Sequence, residues 1–146
     1  MDPISALGVG ASIITLADIA LKSAKGIHRV LSGVRDGPDN IKQAVVAVGG
    51  LLLTLEQLSK CRALDQNGSE ALTAHVLACI NDLERFHEKL KTLVIGVDEQ
   101  RRERYWKNIK AIFNERALVN MSSTVAGHTS TLNLALNVLQ RYVQFA

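Results

Sequence analysis

Between Pro3 and Ala17 the chain carries no charged side chain, and Asp18 is the only one before Lys22. A helix that is apolar on every side belongs either at the centre of a helical domain or in a membrane. The eighteen residues Ile4–Leu21 would reach about 27 Å as a helix, just short of the roughly 30 Å of hydrocarbon in a bilayer. Both uses are open, and the rest of the chain shows how such a stretch could be housed.

Asp2 as N-cap and Pro3 at the first helical position predict a helix from Pro3 to about Val34. One seam runs Ala6, Gly10, Ile13, Ala17, Ala20, Ala24, Ile27, Leu31, Val34 in steps of three and four. A second row, Leu7, Ile14 and Leu21, carries bulk. Ala6-x-x-x-Gly10 and Ala20-x-x-x-Ala24 let another helix approach closely, a spacing shared by membrane helices and tight soluble bundles. Charge on the polar side begins only with Lys22, Lys25, His28 and Arg29, and Gly33 with Asp36-Gly37-Pro38 ends the helix.

A second helix is expected over about Asn40–Leu64, with Ile41, Val45, Val48, Leu52, Leu55 and Leu58 inward. Its Gly49-Gly50 pair costs about 1 kcal/mol per Gly relative to Ala, which a close helix crossing would offset. No segment other than the first helix is read as uncharged over a membrane-spanning length. The third helix, about Ser69–Ile95, has a heptad seam of Leu72, Val76, Cys79, Leu83, Phe86, Leu90 and Leu93 opposite a charged face. A short charged segment, Asp98–Lys110, precedes a last helix over about Glu115–Tyr142. That helix has the seam Leu118, Met121, Val125, His128, Leu132, Ala135, Leu139, Tyr142 and no ionised side chain between Arg116 and Arg141. The chain ends in or just after it, as expected of the N-terminal part of a longer polypeptide. The pattern predicts an all-α fold: a single up-and-down bundle over residues 1–146, four long helices and one short, with the hydrophobic N-terminal helix packed centrally.

Catalytic constellations are missing from the pattern. Gly8-x-Gly10 lies in a helix start without the strand or Lys of a phosphate loop. His75 and Cys79 share a helix face but have no further ligand at metal spacing, so core and flank is the favoured reading. His128 on an apolar seam reads as a neutral imidazole bonded to a neighbouring helix rather than as a pH switch. No enzyme, cofactor or metal site is expected. Cys61 and Cys79 make no disulfide framework, and Asp2 makes a poor signal-peptide start, so a cytoplasmic resting state is expected. A charge of +3 and 4% aromatic residues give no reason to expect nucleic acid. Arg101, Arg104, Tyr105, Trp106, Lys107 and Lys110 read either as a solvated connector with Trp106 plugged into the bundle or as a surface for anionic lipid headgroups.

The opening Met1-Asp2-Pro3-Ile4-Ser5-Ala6-Leu7-Gly8-Val9, with Ile13-Ile14 and Asp18, resembles the start of the fungal HeLo-like domain of NLR-type (STAND) receptors. Trp106 and His128-Thr129-Ser130-Thr131-Leu132-Asn133-Leu134-Ala135-Leu136 extend the resemblance to the last helix. It implies a bundle similar to HeLo domains of fungal heterokaryon incompatibility and to executioner bundles of innate immunity and programmed cell death. In such relatives the domain oligomerises on activation and its first helix enters the membrane. Carried over, the membrane-inserting set is Ile4, Leu7, Gly10, Ile13, Ile14, Ala17, Asp18 and Leu21. The expected partners are membrane lipids once activated, further copies of the chain and downstream receptor domains of the same chain. A protein–protein regulatory bundle is the rival expectation.

Overall fold

The computed structural model describes residues 12–33, 39–61, 70–94 and 115–145, the backbone alone at 91–94, 115 and 139–145. All four elements are helices: α1 (Ile13–Ser32), α2 (Asp39–Ser59), α3 (Glu70–Val94) and α4 (Glu115–Phe145). The short helix expected in 98–110 lies outside the described residues.

The first helix does not run unbroken from Pro3. Ser12 is extended (φ −67°, ψ 159°) and caps α1, its Oγ accepting from the Thr15 N–H at 3.2 Å. A serine three residues before a threonine satisfies one of the donors left open at a helix start. From Ile13 the expected seam holds: Ile13, Ala17, Ala20, Ala24, Ile27 and Leu31 are buried, joined by Leu16, Ser23 and Val30.

On α2 four of the six expected inward positions, Ile41, Val48, Leu55 and Leu58, are buried, and Ala44 and Leu51 take the places of the other two. Val45 and Leu52 are half-buried. The runs Ala44–Val48 and Leu51–Leu53 are apolar on all sides, so composition leaves the register loose. On α3 the described part of the heptad is buried as expected, with Ile80 added. On α4, Leu118, Met121, Val125 and Leu132 are buried, and Leu136 takes the place expected of Ala135.

The four helices form a ring: α1 lies against α2 and α3, and α4 lies against α2 and, less extensively, against α3. α1 therefore holds one corner of the bundle and not the central place expected of it. Thus α2 and α3, consecutive in sequence, sit across the bundle from each other. Gly50 lies beside Thr129, and four residues on, Thr54 Oγ1 donates to Asn133 Oδ1 at 3.0 Å, so α2 and α4 run parallel. The contact near Gly49-Gly50 is not the tight crossing expected. A Cβ at Gly49 would lie 3.8 Å from His28 and one at Gly50 4.0 Å from Thr129, both ordinary contact distances. The shortest such distance is at Gly26 of α1, where a Cβ would lie 2.8 Å from Nε2 at the tip of the His87 ring, which reaches over from α3.

Candidate functional site

The sequence points first to the front of α1. Of the membrane-inserting set, Ile13 and Ala17 are buried in the core, Ile14 and Leu21 are half-buried, and Asp18 faces solvent. A 100° step per residue accounts for this: Asp18 follows Ala17 around the helix, away from α2 and α3. Ala17, Ala20 and Ala24 are fully buried, so small side chains line the seam where the neighbouring helices come in. Ile4, Leu7 and Gly10 lie outside the described residues. So do Arg101, Arg104, Tyr105, Trp106, Lys107 and Lys110.

The polar groups inside the bundle tie helices together. His128 Nε2 lies 2.7 Å from Asp82 Oδ2, joining α4 to α3 where those two helices meet over the smallest area. That is the expected bond to a neighbouring helix. Asp82 Oδ1 also accepts from Arg85 at 2.8 Å, and the Arg85 guanidinium sits 5.5 Å from the Phe86 ring centre. One turn before Asp82, the Cys79 thiol is pushed up to about 12, by burial first and by the Asp82 charge second. Such a thiol is a poor nucleophile near neutral pH. His75 is exposed while Cys79 is buried, and no cluster of three or more His, Cys, Asp or Glu is present among the described residues.

The outer surface of α2 and α4 was not singled out by the sequence pattern. The exposed large apolar side chains among the described residues are Val46 and Leu53 on α2 and Val119, Leu134 and Val138 on α4. An open groove between the two helices is lined by Val46, Ala47, Val119 and Ala126 together with polar Asp39, Lys42, Gln43, Ser122 and Ser123. α2 is also long and apolar enough to cross a bilayer by length and composition, though Lys42 and Glu56 leave it an uncharged run of only 43–55. The inward face of α2 is buried, as in a core helix, and core helices of soluble domains meet the same criterion. The run free of Asp, Glu, Lys and Arg over a spanning length is 117–140 on α4, which corrects the expectation that the first helix alone has one.

The profile of one protein family, described as pigment biosynthesis cluster protein PigL N-terminal, matches residues 1–142. The chain belongs to that family. No curated protein and no solved structure matches it. The match takes in the front of α1, the whole helical bundle and nearly all of α4, so this PigL N-terminal domain contains every candidate residue named above.

Proposed function

We propose that this PigL N-terminal domain is a membrane-targeting cell-death or signalling effector whose apolar N-terminal segment is released to membrane when copies assemble. The family is related to fungal HeLo-like domains, which makes the NLR-type receptor setting the natural one. One observation carries the reading. The front of α1 keeps its apolar stripe of Ile13, Leu16, Ala17 and Ala20 inside the protein, with Asp18, its only charge before Lys22, outside.

Length then constrains the mechanism. Ile13–Leu21 covers nine residues, about 14 Å of helix, which is under half of a bilayer's hydrocarbon. Crossing therefore requires the residues before Ser12 to join α1, with the Ser12 cap given up. Asp18 would cost about 2.5–3.5 kcal/mol at the centre of a bilayer. It sits one turn from the end of the span, near the interface, and self-association around the alanine seam would turn it toward a wet interior. On this reading the domain is cytoplasmic at rest and membrane-bound when active, and it performs no chemistry.

Removing Pro3–Leu21 would be a poor test, because that cut takes Ile13, Leu16, Ala17 and Ala20 out of the core. The double substitution Ile4→Glu/Leu7→Glu changes none of the described core. The purified chain is expected to release dye from anionic vesicles, and the double variant to lose release while keeping its helical circular dichroism. Equal release by both proteins would overturn the reading. Vesicle binding by both without release would move the anchor to Arg101–Lys110. A second reading, a protein-docking bundle, is favoured by the apolar α2–α4 surface, and its mark is tight complex formation without vesicle leakage.

A further inference from the structure

The outer row of α2 has an unusual order. Asp39, Val46, Leu53 and Lys60 follow one another at intervals of seven residues, which places them on one stripe of the helix and its terminal turn. All four are exposed, Val46 by 74% and Leu53 by 64%. Along the sequence, Gly49 and Gly50 lie at the midpoint of that stripe. Val46 is three residues before Gly49 and Leu53 three after Gly50; Asp39 is ten before and Lys60 ten after. Read backwards, the stripe therefore meets itself with acid opposite base and aliphatic opposite aliphatic.

The glycines add an independent argument. Mid-helix glycine is costly, and neither neighbour inside the chain requires it, since His28 and Thr129 would accept a methyl group at ordinary contact distance. Gly49 and Gly50 flank the stripe, one toward His28 of α1 and the other toward Thr129 of α4, both half-buried, so neither puts side-chain bulk beside Val46 and Leu53 where a second helix would cross. Exposed Val119 on the adjoining α4 lines the groove beside Val46, and α4 brings no Asp, Glu, Lys or Arg between Arg116 and Arg141.

We propose that the outer face of α2 is a self-association surface on which a second copy docks antiparallel, crossing at Gly49-Gly50 with Val46 on Leu53 of the other copy and Asp39 against its Lys60. A two-fold contact uses the same patch on both chains, with residue i on j and j on i, and this stripe meets that condition. A parallel arrangement would set Asp39 on Asp39 and Lys60 on Lys60. The inference does not depend on what the N-terminal segment does.

Sedimentation velocity of the full chain over a wide concentration range tests it. The chain is expected to show a monomer–dimer equilibrium, and Val46→Asp/Leu53→Asp to stay monomeric with unchanged circular dichroism. Asp39→Lys and Lys60→Asp are each expected to weaken the dimer by roughly tenfold, since both symmetric charge pairs turn repulsive. The doubly swapped chain D39K/K60D is expected to recover, and a mixture of the two single variants to form the mixed dimer preferentially. A helix-end effect within one chain would not produce that mixed dimer. A wild-type chain that stays monomeric, a dimer that survives Val46→Asp/Leu53→Asp, or single charge variants that fail to pair with each other would each overturn the proposal. A monomeric chain whose vesicle binding is lost in Val46→Asp/Leu53→Asp would also overturn it, and would assign the face to lipid.

Discussion

Gly26→Ala is the sharpest probe of how closely α1 and α3 are held. The new methyl carbon would lie 2.8 Å from His87 Nε2 and 2.9 Å from His87 Cε1, in a helix whose next residue, Ile27, is fully buried. Favourable carbon contacts begin at about 3.5 Å, so the half-buried imidazole must move by more than half an ångström or α1 and α3 must part. Displacing the tip of a half-buried ring is the mild end of overpacking and costs about 1 kcal/mol. Replacing a mid-helix glycine by alanine returns about 1 kcal/mol through helix propensity. The two terms nearly cancel in the wild-type background, so no resolvable change in melting temperature is expected there. With His87→Ala the obstacle is gone, and Gly26→Ala is then expected to stabilise by about 1 kcal/mol. The two substitutions should therefore show a coupling of about 1 kcal/mol in a double-mutant cycle read by urea unfolding. The reasoning fails if Gly26→Ala raises stability equally in both backgrounds. That result would show that the ring swings away at no cost and that helix propensity alone decides the sign.

Two further outcomes follow from burial. Leu16→Ala, at a fully buried position on the front of α1, should cost about 2–5 kcal/mol, whereas Asp18→Ala two residues on should change stability by no more than about 0.5 kcal/mol; urea midpoints separate them. The Cys79 thiol holds its proton more tightly in the folded chain, so its contribution to stability is whole below pH 9.0 and declines as pH rises from there toward about 12. Unfolding curves across that interval should fall less steeply for Cys79→Ala than for wild type. At pH 8 an alkylating reagent should modify half-buried Cys61 in the native chain and reach Cys79 only on unfolding.

The elements differ in how openly the sequence displays them, and the reason is where charge falls. α3 alternates a single apolar stripe with Asp82, Glu84, Arg85, Glu88 and Lys89, so only one face can turn inward and its buried positions are legible. α2 has no charge between Lys42 and Glu56, and several stripes compete. Packing selects Ala44 and Leu51 over Val45 and Leu52, so helix approach rather than side-chain bulk decides the register. Two starts for the first helix are written into the chain, Asp2-Pro3 and Ser12 with Thr15 three residues on. The second is realised, and a cap inside an apolar stretch is easily passed over when charge is the guide. The Gly26–His87 approach had no signal at all, because a glycine in a helix does not say which neighbour it admits. At the candidate site, the inward turn of Ile13 and Ala17 and the outward turn of Asp18 were legible from helical spacing. The stripe Asp39, Val46, Leu53, Lys60 was equally open to inspection, but its meaning depends on knowing that Val46 and Leu53 are exposed.

Burial also bears on how the proposed release could occur. Fully burying an aliphatic side chain is worth about 1.5–3 kcal/mol. Ile13 and Leu16 are buried, Ile14 and Leu21 half so, and Ala17 and Ala20 add a little. Exposing the front of α1 to water would therefore cost about 5–9 kcal/mol, comparable with the whole stability of a typical domain. A lone chain in water would keep that segment docked in all but a minute fraction of molecules. Lipid or an apolar protein surface has to take the stripe as it leaves, since only then is the burial term recovered on the other side. On the proposed function, assembly and membrane contact must accompany release rather than follow it, and a chain that loosened α1 in free solution would be on the way to unfolding.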